Sequence, residues 1–184
     1  TIDYIVTKIP RFAFEKFRGT PAVLTTSMKS VGEAMAIGRS FEESFQKALR
    51  SLENGFHGWH ITEEQLASYK KDLVRKLRTP SPDRILVIRA AMILGKTDEE
   101  IYQISKVDRW FLSKLRHILD KENELLNSNK LTSINYEQLL EIKQLGFSDK
   151  QIAMSVSSEE DEVREYRIAM GVTPVYKTVD TCAS

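Results

Sequence analysis

Hydrophobic and polar positions change their rhythm part-way along the chain. Ile2, Tyr4, Val6 and Lys8 alternate with Asp3, Ile5 and Thr7 in a β-branched and aromatic run, which predicts a strand closed by Pro10. A second short strand is predicted over 31–37, with Val31, Glu33, Met35 and Ile37 on one face and Gly38 ending it. Ser40 stands three residues before Glu43, the spacing of a capping box, and should open a helix to about Leu52. Phe41, Phe45, Ala48, Leu49 and Leu52 then form its apolar stripe. Two strands and one helix cannot cover both faces of a sheet. This part is therefore expected to need a larger domain that the chain does not contain.

From residue 54 the alternation vanishes and helical punctuation takes over. Gly55 and Gly58, with Phe56 and Trp59, read as a linker. Thr62 and Gln65 have capping-box spacing and open one predicted helix carrying Leu66, Tyr69, Leu73 and Leu77, stopped by the Thr79-Pro-Ser-Pro82 run. A compact helix follows over 83–94, closed by Gly95 as a left-handed cap. Thr97 opens a short helix with Ile101 and Ile104, and Asp108 caps the longest one, whose apolar positions are Phe111, Leu112, Leu115, Ile118, Leu119, Leu125 and Leu126. Beyond a polar loop come helices over 135–145 (closed by Gly146), 148–156, and 158–170 (closed by Gly171). The fold class is thus mainly α: about seven short helices, preceded by a small strand and helix fragment. Residues 174–179 return to β-like composition.

Charge narrows the function classes. Among 184 residues, 27 basic side chains face 26 acidic ones, which excludes neither folding nor solubility but opposes a strongly basic nucleic-acid binder. The single cysteine, Cys182, permits no disulfide framework and points to a reducing compartment. No apolar run approaches the ~18 residues of a membrane span. The first residues, Thr-Ile-Asp-Tyr-Ile-Val, resemble no signal peptide and lack a starting Met, so both ends read as cuts inside a longer protein.

Candidate chemistry is sparse. His57 and His60 lie within three residues of each other, and His117 lies on the long helix, but no cysteine or carboxylate pattern completes a zinc set. Cys182 has no histidine near it in sequence, and Gly19, Gly32 and Gly38 do not form a phosphate-cradling loop. The acidic pairs Glu42-Glu43, Glu63-Glu64, Asp98-Glu99-Glu100 and Glu159-Glu160 sit at helix N-termini, where the macrodipole explains them. Lys8 and Arg11, flanking Pro10, could face a phosphate or simply form a solvated edge. The stretch from Phe147 to Gly171 has the rhythm of a helix-turn-helix, which leaves a free-standing helical regulator with a DNA-binding tail as an alternative. Its would-be recognition helix, however, opens with Glu159, Glu160, Asp161 and Glu162, which would repel a duplex.

Several blocks closely resemble the large subunit of carbamoyl-phosphate synthase. They are Ile2 to Phe12, Met28 to Arg39, Ser44 to Arg50, Asp108 to Leu112, and Pro174 to Cys182, with Gly146 to Asp149 as a further anchor, and they run in order from end to end. In that family two ATP-grasp halves are joined by a helical oligomerisation domain. The resemblance implies that residues 1–53 end the carboxyphosphate-synthesising ATP-grasp domain and that 54–184 form the helical oligomerisation and connector domain. It also explains the strand fragment that lacks cover.

The resemblance implies a ligase as parent. It makes carbamoyl phosphate from bicarbonate, glutamine-derived ammonia and two ATP, with Mg²⁺ or Mn²⁺, for arginine and pyrimidine biosynthesis. The family's nucleotide, metal and carboxyphosphate ligands lie outside the matched blocks, so no catalytic, cofactor-binding or metal-binding residue is assigned here. Lys8, Arg11, Lys29 and Arg39 could at most support a neighbouring site. The implied partners are the other domains of the same subunit, a glutaminase subunit or domain, and a second copy, with no nucleic acid and no membrane. The implied location is the cytoplasm, or alternatively a plastid or other organelle matrix. Self-association is expected through an apolar helix stripe with Leu112, Leu119 and Leu126 among its residues, and the segment alone is expected to be inactive.

Overall fold

In a computed structural model of the chain, residues 3–12, 21–53 and 55–179 are described. The elements are β1 (Ile5–Phe12), β2 (Ser30–Gly38), α1 (Phe41–Ser51), α2 (Glu63–Lys70), α3 (Leu73–Arg78), α4 (Arg84–Ile93), α5 (Asp98–Ser105), α6 (Arg109–Ser128), a single 3₁₀ turn (Leu131–Ser133), α7 (Tyr136–Gln144), α8 (Asp149–Val156) and α9 (Glu160–Ala169). The mainly helical class expected from the sequence is the class observed. Ile2, Gly19, Asn54 and Cys182, which the sequence reading used, lie outside the described residues.

The chain forms two compact units. One comprises Thr1–Lys8, Met35–Gly58 and Asp120–Ser184, and the other Ile9–Ala34 and Trp59–Leu119. The division falls inside α6, between Leu119 and Asp120.

β1 and β2 pair as a two-stranded antiparallel sheet. Contrary to expectation, Pro10 does not close β1, which continues to Phe12. A two-stranded sheet leaves each strand one open side, where a proline without its N–H donor is tolerated. The alternation in β2 is real, but its large apolar members face outward. Val31 is 51% exposed and Met35 60%, while Ala36 and Gly38 are buried. In the first unit, the ribbon meets α1 through the Thr7 and Ser44 hydroxyls, 2.7 Å apart.

α1 follows its sequence signals closely. The Ser40 hydroxyl accepts from the Glu43 amide at 3.1 Å, and Phe45, Ala48, Leu49 and Leu52 are buried. The Glu43 carboxylate reaches back one residue further than a capping box requires and accepts from the Arg39 amide at 2.7 Å. The other buried apolar residues of this unit are Leu125, Ile134, Leu139, Ile142, Leu145, Phe147, Ile152, Ala153, Val156, Val163 and Val172. Within the unit, α8 and α9 pack directly on each other.

In the second unit, one predicted helix is two. α2 ends at Lys70 and α3 starts at Leu73, with Lys71 extended and Asp72 left-handed (φ 58°) between them. The segment from residue 54 onward therefore holds eight α-helices among its described residues rather than seven. Aspartate is one of the few non-glycine residues that adopts this conformation at low cost, so the break needs no glycine or proline. α4 packs against α2, α3 and α5 and buries every residue from Leu86 to Met92, so it is a core helix rather than an amphipathic one. Trp59 is fully buried and donates from Nε1 to the Ile85 carbonyl at 3.2 Å, with the Arg89 guanidinium 5.3 Å from its ring centroid.

The stripe expected to mediate self-association is largely used up inside the chain. Leu112 is 0% and Leu119 5% exposed, whereas Leu126 is 48% exposed. Counting apolar positions on one helix shows what needs cover, but not how much of that cover the chain itself supplies. Residues 174–179, read as β-like, adopt no regular structure, with Val175 and Tyr176 well exposed. Among the described residues no helix is long and apolar enough to cross a membrane.

Candidate functional site

The most concentrated electrostatics in the first unit lie where α7 turns into α8. α7 ends in a Schellman-type turn: the Gly146 amide donates to the Lys143 carbonyl (3.1 Å) and the Phe147 amide to the Ile142 carbonyl (3.3 Å). Gly146 sits at φ +88°, and a Cβ there would lie 2.9 Å from the Glu43 Cα and 3.0 Å from the Glu43 carbonyl oxygen. Conformation and close packing against α1 therefore both demand glycine. α1 also satisfies the carbonyls that the end of α7 leaves open. Gln46 Nε2 donates to the Leu145 carbonyl at 2.9 Å, and Arg50 donates to the Gly146 carbonyl. Ser148 then caps α8, accepting from the Gln151 amide (3.0 Å) and donating to the His57 carbonyl (2.6 Å).

Asp149, the first residue of α8, is 8% exposed and gathers the surrounding cations. Lys143 Nζ donates to Oδ1 at 2.7 Å, and Arg167 Nε donates to Oδ2 at 2.9 Å and to Oδ1 at 3.1 Å. Arg164 stands further off, with Nε 3.9 Å from Oδ2. The same cations hold backbone carbonyls: Lys143 that of Phe147 (2.8 Å) and Arg167 that of Val172 (3.2 Å). Burial is the largest influence on the Asp149 carboxyl and would raise its pKa, but the hydrogen bonds and charges of Lys143 and Arg167 outweigh it and hold the group below the usual carboxylate range. Burial lowers the Lys143 ammonium below its ordinary value against the opposing pull of Asp149, and Arg50 is lowered by burial in the same way. An ionised carboxylate with its lone pairs already taken by two cations is a poor proton acceptor. The arrangement is suited to holding chain segments together rather than to acid–base work.

A second cluster joins α5 to α6 in the other unit. Asp108 accepts from the Trp110 amide at 2.8 Å, as its capping role predicts. Arg109 pairs in bidentate fashion with Glu99 (2.6 and 2.9 Å) and stacks 3.5 Å from the Tyr102 ring centroid. Glu99 is drawn down to about 2, chiefly by its hydrogen bond from Arg109. Arg116 binds Asp98 (2.7 and 3.0 Å) and the Lys96 carbonyl (2.7 Å). The adjacent Trp110 and Phe111 rings stand edge to face, 5.1 Å apart, and both are nearly half exposed.

The residues singled out from sequence are scattered. Lys29 is buried, and its ammonium donates to the carbonyls of Val23 (2.7 Å) and Pro21 (3.4 Å), which makes it a loop clasp. Lys8 and Arg11 are exposed on β1, and Arg39 is exposed just before α1. His57 is exposed, while His60 and His117 are half-buried. Among the described residues no three His, Cys, Asp or Glu side chains stand close enough to share a metal ion. The helix pair with a helix-turn-helix rhythm exists as α8 and α9, and α9 opens with Glu160, Asp161 and Glu162. The Asp149 centre itself went unread. Arg50, Lys143 and Arg167 are ordinary last-turn cations when each helix is taken alone.

Two of the anchor blocks, Gly146 to Asp149 and Asp108 to Leu112, are thus the two packing nodes. Residues 33–171 match the model for the carbamoyl-phosphate synthetase large chain, oligomerisation domain. The chain belongs to that family. Over its whole length it is 55% identical to a carbamoyl phosphate synthase large chain of Nostoc sp., 17% of which it covers. It is also 55% identical over 185 residues to an arginine-specific, chloroplastic large chain of Arabidopsis thaliana (16% covered), and 48% identical over 184 residues to a large chain of Deinococcus radiodurans (17% covered). The chain therefore spans about one-sixth of the length of these curated relatives. As an oligomerisation domain of the large chain, it gives the regulator alternative no support.

Proposed function

We propose that this chain is the structural connector of a glutamine-dependent carbamoyl-phosphate synthase large subunit, and that it joins two ATP-grasp halves and contributes to self-association. The single observation that carries this reading is the match of residues 33–171 to the oligomerisation domain of these large chains. On this reading, residues 1–53 end the first ATP-grasp domain, 54–184 form the connector, and the exposed Val31 and Met35 of β2 are covered by parent residues outside this chain. The parent makes carbamoyl phosphate from bicarbonate, ammonia delivered by a glutaminase subunit or domain, and two ATP with Mg²⁺ or Mn²⁺. It works in the cytoplasm or, as the chloroplastic Arabidopsis relative suggests, in a plastid.

The connector's own residues bind and orient. Asp149 with Lys143 and Arg167 fixes the turn into α8 and the chain leaving α9, while Arg50 and Gln46 dock α1 on the end of α7. None of these groups is placed to transfer a phosphoryl group. Phosphoryl transfer needs cationic donors and metal-bound oxygens around the transferring group, which the ATP-grasp halves supply. The test has two arms on the 184-residue chain. Sedimentation equilibrium is expected to show association, and a bicarbonate-dependent ATPase assay with Mg²⁺ is expected to show no turnover above a heat-treated control. Turnover, or a strict monomer, would overturn the reading.

A further inference from the structure

Two opposite patches of like size lie on this chain. Residues 70–78 carry Lys70, Lys71, Arg75, Lys76 and Arg78 against the single Asp72. Residues 158–165 carry Glu159, Glu160, Asp161, Glu162 and Glu165 against the single Arg164. The net charge of +1 conceals this division. Part of each patch is engaged locally: Lys76 donates to the Ser68 carbonyl, Glu162 accepts from the Glu159 amide at 3.0 Å, and Asp161 pairs with Arg164 at 3.0 Å, but the Asp161 side chain stays 85% exposed. On α3, Leu77 is fully buried, so the helix turns Val74, Arg75 and Arg78 outward, and Val74 is 48% exposed. On α9, Val163 is fully buried, so Asp161, Glu165 and Ile168 share the outer stripe, and Ile168 is 54% exposed. Arg75 meets Asp72 only at 3.3 Å with both side chains about two-thirds exposed, and a pair of that kind contributes little. Each patch is therefore an exposed branched apolar side chain ringed by one sign of charge, and the two signs are opposite.

We infer that α3 of one copy docks on α9 of a second copy, with Val74 against Ile168 and Arg75 and Arg78 against Asp161 and Glu165. The inference rests on the self-association reading above and names its contact. Charge complementarity selects a second copy as occupant, because the same chain carries both halves of the match. The alternative occupant, a nucleic acid on α3, would leave Glu165 and the exposed Ile168, which lie beyond the first turn of α9, without a role. One turn or two of helix on each side is far less than a standard interface of about 800 Å² per partner, so the contact is weak, dependent on concentration and sensitive to salt.

The test is sedimentation velocity on the 184-residue chain, with far-ultraviolet circular dichroism confirming helix content. Raising salt from about 0.1 M to about 1 M shortens the Debye length from about 10 Å to about 3 Å and is expected to weaken association about tenfold or more. This arm needs no variant. The triple reversal Lys71→Glu, Arg75→Glu, Arg78→Glu and the double reversal Asp161→Lys, Glu165→Lys are each expected to abolish association, and their equimolar mixture to restore it. Association that ignores salt and survives both reversals would overturn the inference while leaving the self-association reading in place. A wild-type monomer at about 100 µM would overturn both, since even a weak specific interface is populated there. Binding of a random-sequence duplex, lost in the α3 reversal and unaccompanied by self-association, would assign the basic patch to nucleic acid and overturn the inference.

Discussion

Removing the charge of Asp149 should destabilise the first unit. Asp149→Asn keeps the shape of the side chain and its place in the first turn of α8, but it takes away the anion that Lys143 and Arg167, both largely buried, share. Breaking a buried pair by deleting one partner costs about 3–5 kcal/mol, because the remaining charges stay desolvated without compensation. Here the side chains of Lys143 and Arg167 are 24% and 15% exposed and can turn partly toward water, so the lower end, about 3 kcal/mol, applies. For a chain of this length each kcal/mol moves the melting midpoint by roughly 2–4 °C, which gives a drop of about 6–12 °C. Circular dichroism melts at pH 7 would read it. A double-mutant cycle with Arg167→Gln should return a coupling of about 1–3 kcal/mol, since the two groups share hydrogen bonds. A midpoint lowered by less than about 2 °C, with no coupling to Arg167, would refute the claim that this carboxylate holds the unit together.

Two further outcomes follow from the same geometry. Gly146→Ala should cost about 2–3 kcal/mol, combining a left-handed alanine with a Cβ 2.9 Å from the Glu43 Cα, whereas Gly95→Ala, with φ +85° but open space around it, should cost only about 1 kcal/mol; urea denaturation of the pair separates packing from conformation. Acid should destabilise late: Glu99 and Glu100, both drawn down to about 2, and Asp149, also lowered, have folded values below their unfolded ones, so their contribution is whole above about pH 5 and is lost as pH falls through the unfolded and then the folded values. Melting midpoints that are flat from pH 7 to 5 and fall between about pH 5 and 2 are expected, and a decline already complete at pH 5 would contradict the assignment.

The helix limits were legible because their signals are local. Thr62, Thr97, Asn135 and Ser148 each accept from the amide three residues on, and Gly95, Gly146 and Gly171 each adopt positive φ. The break at Lys71 and Asp72 was not legible, since neither residue is a breaker and the apolar spacing of Leu66, Tyr69, Leu73 and Leu77 runs straight through it. The Asp149 centre was hidden for a different reason. Its members come from α1, α7, α8 and α9, and Arg50 lies 96 positions before the glycine whose carbonyl it binds. A cation in a helix's last turn and an aspartate in a first turn are each explained by the macrodipole, so nothing in the local pattern asks for a partner elsewhere. The exposed strand face was anticipated in kind, because two strands cannot cover themselves. Which residues it would expose was implicit only in the alternation of β2.

The proposed connector role asks the segment to fix the direction of the chain that leaves it, and the ionic centre can do this through carbonyls rather than through charge alone. α7 and α9 both end by leaving carbonyl oxygens without helical partners. Lys143 donates at once to Asp149 and to the Phe147 carbonyl, and Arg167 at once to Asp149 and to the Val172 carbonyl, so each cation ties a helix exit to the first residue of α8. Val172 is buried beside residues that are not, and residues 173–178 are exposed. The direction of that exposed segment is thus set at its root by one guanidinium whose position depends on one carboxylate. Arg50, which holds the Gly146 carbonyl from α1, extends the same arrangement to the helix that follows the β-ribbon. A leucine core of the same size would stabilise the unit equally well, but apolar contacts are non-directional. Hydrogen bonds from fixed cations to named carbonyls specify orientation, which is what the proposed connector role requires.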